Sequence, residues 1–380
     1  MSKSTSTNIF IVIIVTILTK LLGLVKQIII ASYYGMTGET DAFLLVSGTI
    51  NDFGMSIFSA LSIVFLADYI KRNKGESGDA NIFTSNVTCV FCGIFIPICV
   101  LLEFFAPQVI ELIAPGMTGS AFSQAVLMMQ ILCPMLIVLC FRTIINAILD
   151  ANNEFWYGKS VGAIQSIILI ILSVLFYSKG VFVLVFALVI TYFVETAIGL
   201  YVVLKKDYYR VCKPQSIWSS DMKALLICMI PLFISNSLGE INALVARGIS
   251  SNLGEGVISS LSYAQTLKQF VNSILISSTL TVLYTNIVTR SVENNNKNKN
   301  LGEFITRCIL IYLIVLLPVS LITYMCSSDL ISIVFGHGAV TEDAVCVTSD
   351  ALLGYSIGFI PLAISGVLLR VYYSNSDTWY

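Results

Sequence analysis

Long apolar segments constrain this chain more than any other feature of its sequence. A segment of about 20 predominantly apolar residues can cross a bilayer as a helix, and the chain contains ten such segments. They lie near residues 9–31, 42–68, 82–105, 122–148, 160–177, 180–204, 222–250, 257–289, 304–326 and 346–372. Composition agrees, because 57% of the residues are hydrophobic and only 11% are charged, which is far from the usage of soluble domains. The sequence therefore predicts an all-α, polytopic transmembrane bundle.

Basic residues in the loops predict the orientation of this bundle. Lysines and arginines follow the second, sixth and eighth segments, whereas the alternate loops are almost free of them. The basic residues are Lys71, Arg72, Lys74, Lys205, Lys206, Arg210, Lys213, Arg290, Lys297 and Lys299. Because loops rich in lysine and arginine stay on the cytoplasmic side, we expect the amino terminus in the cytoplasm.

Residues for catalysis or metal binding are scarce. Cys89 and Cys92 form a Cys-x-x-Cys inside an apolar segment, and the single histidine, His337, lies in a predicted external loop. A metal site needs further donors. Neither a phosphate-binding Gly-x-x-x-x-Gly-Lys-Ser/Thr loop nor a basic and aromatic patch for nucleic acid occurs in the sequence. We therefore expect a transporter without enzymatic activity, cofactor, metal site or nucleic-acid partner, and the coupling ion stays open.

Short blocks of sequence recur at a near-constant distance. Gly35 and Asp41 are matched by Gly254 and Ser260 at an offset of 219 (254 − 35), and two later blocks recur at offsets of 221 and 223. An even number of spanning segments separates the copies, so both copies keep one orientation and predict two parallel lobes, as in some transporters. The predicted organisation is an amino-terminal lobe at 1–206, a cytoplasmic linker at 207–221 and a carboxy-terminal lobe at 222–380 that lacks its last helices. A natural ten-helix protein is the alternative.

Charged residues inside the apolar segments predict the functional site. Lys20 and Lys26 interrupt the first segment, and a charge near the middle of a spanning helix costs about 2.5–3.5 kcal/mol on insertion scales. At 100° per residue, polar residues share one face on each of four segments. These faces are Thr16, Lys20, Gly23 and Gln27; Asp41, Gly48, Asp52 and Ser59; Asn236, Glu240, Ala243 and Arg247; and Gln265, Lys268 and Asn272. Such faces either line a wet cavity or lock helices together, for example through an ion pair between Glu240 and Arg247.

Three charges inside the predicted segments stand apart from these faces, namely Glu103, Arg142 and Glu195. The sequence alone assigns no role to Glu103 or Glu195. Arg142 is interpreted as a side chain that snorkels to a helix end, as long basic side chains do.

An ordered set of short motifs resembles one family. The set begins with Thr19-Lys20-Leu21-Leu22-Gly23-Leu24-Val25-Lys26, Gly35 and Asp41-Ala42-Phe43, and continues with Ala114-Pro115-Gly116, Asn146 with Phe155, Pro231, Tyr263-Ala264, Gly336-x-Gly338-Ala339, and Arg370-x-x-Tyr373 with Asp377. It resembles the MviN/MurJ family of lipid II flippases, within the multidrug/oligosaccharidyl-lipid/polysaccharide exporter superfamily, and spans the whole chain. The resemblance implies fourteen helices, with two six-helix lobes, of which this sequence would hold the first ten.

The resemblance also implies a function, namely a flippase in a bacterial cytoplasmic membrane. Lipid II or a related polyprenyl-diphosphate glycan would enter a wet cavity from the cytoplasmic side, and rocking of the lobes would expose it outside for peptidoglycan or surface polysaccharide synthesis. The substrate-binding candidates are Lys20, Lys26, Asp41 and Asp52, and the weaker candidates are Glu240, Arg247, Gln265 and Lys268. The lysines would attract the phosphates, and Asp41 would pair with a lysine in one state of the transport cycle. The protein is expected to be a monomer.

Departures from the family pattern limit what the resemblance implies about the cargo. The family commonly carries arginines where this sequence has Lys20 and Lys26, which keeps the charge but loses bidentate phosphate geometry. A usual arginine falls at Gly54, the following Glu-Gly-Ala is not evident around 59–61, and Asp-Arg is replaced by Gln265-Thr266. The cargo is therefore predicted only as a polyprenyl-diphosphate glycan. The alternatives are a cation-coupled multidrug exporter of the same superfamily, whose cavity should be acidic and aromatic, and an inactive membrane scaffold or fragment.

Overall fold

The described part of the chain is built from helices. The computed structural model describes residues 3–73, 80–215, 219–277 and 298–374, and contains no strand within them. The helices are α1 Lys3–Tyr34, α2 Gly38–Asn73, α3 Ala80–Phe104, α4 Ala106–Ile113, α5 Gly119–Leu132, α6 Met135–Ala151, α7 Trp156–Phe176, α8 Phe182–Lys205, α9 Ser220–Ser251, α10 Val257–Val271, α11 Asn298–Met325, α12 Ser327–Phe335, α13 Glu342–Ile357 and α14 Phe359–Ser374. Within the described residues eight helical segments are long and apolar enough to span a membrane, or nine if one bent pair is a single span. The prediction of a polytopic helical bundle is confirmed.

The helices differ from the predicted segments in several places. The segment predicted at 122–148 is split into α5 and α6, which meet at 44°, because Pro134 lacks an N–H and its ring clashes with the preceding turn. The predicted loops at 106–121 and 327–345 contain the short helices α4 and α12. The segment predicted at 257–289 is helical to Ser277, through a π-helical turn Asn272–Ser277, and the rest of it lies outside the described residues.

The chain divides into two compact units, residues 1–258 and 259–380. In the first unit, α1 packs on α7, whereas α2 packs on α5, α6 and α9, around fully buried side chains such as Phe65, Tyr69 and Tyr157. The second unit has its own small apolar cluster, formed by Ile276, Tyr312, Leu316, Ala363 and Val367. Helix α9 therefore packs within the first unit. The lobe boundary at 207–221 rests on the sequence repeat and stays a prediction.

The connection between α8 and α9 is fastened to the ends of α2 and α3. Tyr69 Oη donates a hydrogen bond to the Tyr208 carbonyl oxygen at 2.8 Å. Asn86 exchanges two hydrogen bonds with the backbone of Gln215, at 2.7 Å from its N–H and 2.5 Å to its carbonyl oxygen. These contacts position the start of α9 beside α2, and so position the polar contacts between the two helices.

Candidate functional site

One face of α2 meets one face of α9 along a line of polar contacts. Asn236 Nδ2 donates to Ser59 Oγ at 2.7 Å, and Arg247 Nη2 donates to Asp52 Oδ2 at 2.5 Å. Gly48 lies beneath the guanidinium, because a Cβ at this position would be 2.6 Å from Arg247 Nη2. We call these five residues the α2–α9 seam. The structure thus joins two polar faces that the sequence predicts separately.

Arg247 pairs across the seam rather than within its own helix, which corrects the predicted ion pair with Glu240. Seven residues separate Glu240 from Arg247, or about 10.5 Å along the axis at 1.5 Å per residue. Ion pairs on one helix join residues three or four apart. Asp52, on the neighbouring helix, reaches the guanidinium directly, while Glu240 is half-buried on α9.

The Asp41 carboxylate binds a backbone N–H near the turn at 35–37, which joins α1 to α2. We call this end of the bundle the 35–37 end. Asp41 Oδ2 accepts a hydrogen bond from Gly256 N at 2.7 Å, and the residue is only 3% exposed. Gly256 has φ of +83°, and a Cβ there would lie 2.5 Å from the Met36 carbonyl oxygen, so glycine is required. At the same end, Gly116 N donates to Ser251 Oγ at 3.1 Å. These contacts fasten the connection at 252–256 within the first unit.

Two cavities flank these contacts. The smaller, of about 160 Å³, is lined by residues that include Asp41, Gly116, Ser251 and Glu255. The larger, of about 430 Å³, is lined by residues that include Glu39, Glu255, Tyr33 and Tyr177, and the rings of Tyr33 and Tyr177 lie 5.3 Å apart. The charged lining residues of both cavities are carboxylates. Among the described residues, no group of three or more His, Cys, Asp or Glu is placed to hold a metal ion.

Lys20 and Lys26 lie on α1, which packs on α7. Thr19 Oγ1 fixes this packing by donating to the Lys159 carbonyl oxygen at 3.1 Å. Lys20 is exposed, Lys26 is half-buried, and Gly23 between them adjoins open space. Within the described ranges no ion pair joins either lysine to a carboxylate. The structure therefore does not bring the two lysines into an ion pair with Asp41 or Asp52.

The weaker candidates Gln265 and Lys268 lie on α10 in the second unit. Lys268 Nζ is 4.6 Å from the ring centroid of Tyr355, a distance typical of a cation–π contact. Gln265 is half-buried on the same helix. These two residues belong to a different unit from the seam, and their part in a common site stays a prediction.

The structure contains a buried ion pair between α6 and α8 that the sequence analysis did not predict. Arg142 Nη1 donates to Glu195 Oε2 at 2.5 Å, and the Glu195 side chain is 0% exposed. The guanidinium also lies 5.6 Å from the Tyr192 ring centroid, and Tyr157 Oη donates to the Glu195 carbonyl oxygen at 2.8 Å. Arg142 therefore does not snorkel to a helix end, which corrects that interpretation. The available signal was the presence of opposite charges inside two apolar segments, since a charge buried in a span requires a partner.

Outside the spans, Glu154 receives three hydrogen bonds. The Lys206 ammonium donates to one carboxylate oxygen, Tyr208 Oη donates to the same oxygen at 3.3 Å, and Trp156 Nε1 donates to the other at 2.9 Å. The hydrogen bond from Lys206 is the main reason that the pKa of the Glu154 carboxyl lies below its usual range. The same contact raises the pKa of Lys206. This cluster ties the end of α6 to the end of α8.

Known proteins resemble the chain over most of its length. A family model described as lipid II flippase MurJ matches residues 30–380, a range that begins after Lys20 and Lys26. The "Probable lipid II flippase MurJ" of Rickettsia prowazekii (strain Madrid E) is 27% identical over 370 residues, which cover 96% of this chain and 72% of that protein. A solved structure of "Lipid II flippase MurJ, inward closed conformation" matches with a TM-score of 0.81 at 23% identity, covering 97% of this chain and 77% of the other. An inward-facing multidrug resistance MATE family transporter of the MOP superfamily matches with a TM-score of 0.70 at 14% identity, covering 94% and 84%, so the fold is common to both groups.

Proposed function

Because this chain belongs to the MurJ family of lipid II flippases, we propose that it moves lipid II, or a related polyprenyl-diphosphate glycan, from the cytoplasmic to the outer leaflet by alternating access. Family membership makes the protein a multi-pass inner-membrane transporter of a lipid-linked substrate in peptidoglycan synthesis, and not an enzyme, which confirms those predictions. The proposal adds the identity of the cargo, its direction, a monomeric protein and a cytoplasmic amino terminus.

The observation that supports an anionic cargo is the pair of lysines on α1. Lys20 and Lys26 have no carboxylate partner in the described part of the chain, although a charge inside a span is costly. Gly23 adjoins open space between them, which leaves room for a ligand. A diphosphate would neutralise both ammonium groups, each of which binds phosphate as a point charge, while the polyprenyl chain stays in lipid.

The carboxylates at the 35–37 end support entry of the cargo from the opposite end. In the proposed orientation the 35–37 end faces outward, and Asp41 accepts its hydrogen bond from Gly256 there. Glu39 and Glu255 line the larger cavity there. Both carboxylates are exposed, and they repel an anion that comes within the short range over which salt does not screen charges. A diphosphate is therefore disfavoured beside these carboxylates, which favours its entry at the opposite end.

A flipping assay in reconstituted vesicles tests the proposed phosphate site. We expect the double variant Lys20→Ala/Lys26→Ala to lose most transport of a fluorescent polyprenyl-diphosphate saccharide, because the cargo loses its counter-charges. Lys179→Ala is the matched control, since Lys179 is an exposed lysine that follows α7 and lies outside α1, and it should transport normally. Normal transport by the double variant at equal reconstitution would remove the phosphate site from α1.

A further inference from the structure

Only one of the two terminal nitrogens of the Arg247 guanidinium takes part in the seam. Nη2 binds Asp52, whereas Nη1 is buried and has no acceptor among the described residues. A donor that is buried without an acceptor is costly. The guanidinium carries its donors in a planar fork that matches a carboxylate or a phosphate. The unused donor therefore indicates an acceptor that binds in another state of the protein.

The ion pair in the seam is accessible, unlike the ion pair between α6 and α8. The side chains of Asp52 and Arg247 are 29% and 16% exposed, whereas the Glu195 partner of Arg142 is 0% exposed. An Asp52 carboxylate that is displaced from the guanidinium can therefore be solvated. Gly48 allows the guanidinium to lie against the α2 backbone, so the charge of Arg247 is presented at the surface of α2.

We propose that Arg247 exchanges partners during transport: a diphosphate oxygen of the cargo displaces Asp52 from the guanidinium, and loss of that ion pair releases α9 from α2. The inference rests on the proposed function, since the incoming anion is a polyprenyl diphosphate. A diphosphate carries more negative charge than one carboxylate and can bind both arms of the fork, so it competes effectively with Asp52. Arg247 thereby supplies the bidentate geometry that Lys20 and Lys26 lack.

The affinity of the full chain for a polyprenyl diphosphate, measured in phosphatidylcholine nanodiscs, tests this exchange. The alternative is a static lock, in which Arg247 stays paired with Asp52 throughout transport. Arg247→Gln should weaken binding about tenfold or more, the usual effect of losing a charge-assisted hydrogen bond. Asp52→Asn should tighten binding, because the competing carboxylate is gone. Arg210→Gln is the matched control, because it removes an exposed arginine that pairs with Asp207 in the connection after α8, away from the seam, and it should bind as the unmodified chain does.

A second readout follows the contact between α2 and α9 directly. In a chain without its ten native cysteines, Ser59→Cys/Asn236→Cys should cross-link on oxidation, and polyprenyl diphosphate should slow this reaction. Replacing Arg247 by glutamine in that chain should abolish the effect of the ligand, and phosphatidylglycerol should not reproduce it. Unchanged binding in both charge variants, or weaker binding in Asp52→Asn, would overturn the exchange and leave a static lock. Absence of binding by the unmodified chain would instead contradict the proposed function.

Discussion

Two glycines determine how closely α2 approaches the chain around α9. At Gly48 an added methyl group would meet the Arg247 guanidinium, and at Gly256 it would meet the Met36 carbonyl oxygen. Each glycine stands directly beside a charged contact, the ion pair of Asp52 in one case and the hydrogen bond of Asp41 in the other. The absence of a side chain at each glycine therefore leaves the space that the charged contact needs. A side chain at either position would break that contact without removing a charged group.

Glu154 gives the fold a pH dependence outside the membrane. Because Lys206 lowers the pKa of this carboxyl in the folded chain, the ion pair stabilises the fold above the unfolded pKa of about 4.3, and this contribution is lost as the pH falls through the lower folded pKa. We expect Glu154→Gln to lower the melting temperature in detergent at neutral pH. The difference from the unmodified chain should shrink as the pH falls from about 5 to about 3.

The control for this prediction is Asp68→Asn. Asp68 pairs with Lys71 at 3.4 Å on the exposed end of α2, and exposed pairs of this kind contribute little. Its melting temperature should therefore stay close to that of the unmodified chain at every pH. A difference for Glu154→Gln that stays constant or grows towards acid would contradict the assigned role of Lys206.

At the scale of helices, the elements recur with the spacing of the repeated sequence blocks. Helices α2 and α10 begin 219 residues apart (257 − 38), α4 and α12 begin 221 apart (327 − 106), and α5 and α13 begin 223 apart (342 − 119). Helices α3 and α11 both contain a proline, Pro97 and Pro318, before the short helix that follows. The repeat in sequence is thus also a repeat in secondary structure, including the short helices that were expected to be loops.

The buried pair between α6 and α8 predicts a strong asymmetry between single and double variants. Arg142→Leu leaves the Glu195 charge buried without a partner, and we expect a loss of about 3–5 kcal/mol. Replacing both residues by leucine removes the charge as well as its partner and should recover most of this stability. The fraction of folded protein that survives heating in detergent measures both effects. A double variant no more stable than Arg142→Leu would show that the pair does not act through charge burial.

The sequence predicts helices and their polar faces because these depend on neighbouring residues, and it does not predict which helices touch. Periodicity places Asp52 and Arg247 on polar faces, but their pairing depends on the relative register of α2 and α9. The break between α5 and α6 follows from Pro134, whereas the angle of the bend depends on the surrounding packing. The positions of helices can therefore be predicted from the local sequence. The partners of Arg142 and Arg247 depend on tertiary packing and cannot.

At the scale of the whole molecule, the proposed orientation assigns two sets of loops to opposite sides of the membrane. Ser120 is exposed in the first turn of α5. Lys213 is exposed in the connection from α8 to α9. In a chain without native cysteines, we expect Ser120→Cys to react with an impermeant thiol reagent in spheroplasts. Lys213→Cys should react only after the membrane is permeabilised. The reverse pattern would invert the orientation, and with it the proposed direction of transport.

Helix α9 belongs to the second copy by the repeat and to the first unit by its packing. Its counterpart in the first copy is α1, which packs on α7, whereas α9 packs on α2. A half-chain that ended in the linker at 207–221 would leave Ser59 and Asp52 without their partners Asn236 and Arg247. The crossing of α9 therefore gives a physical reason for keeping the duplicated halves fused in one gene.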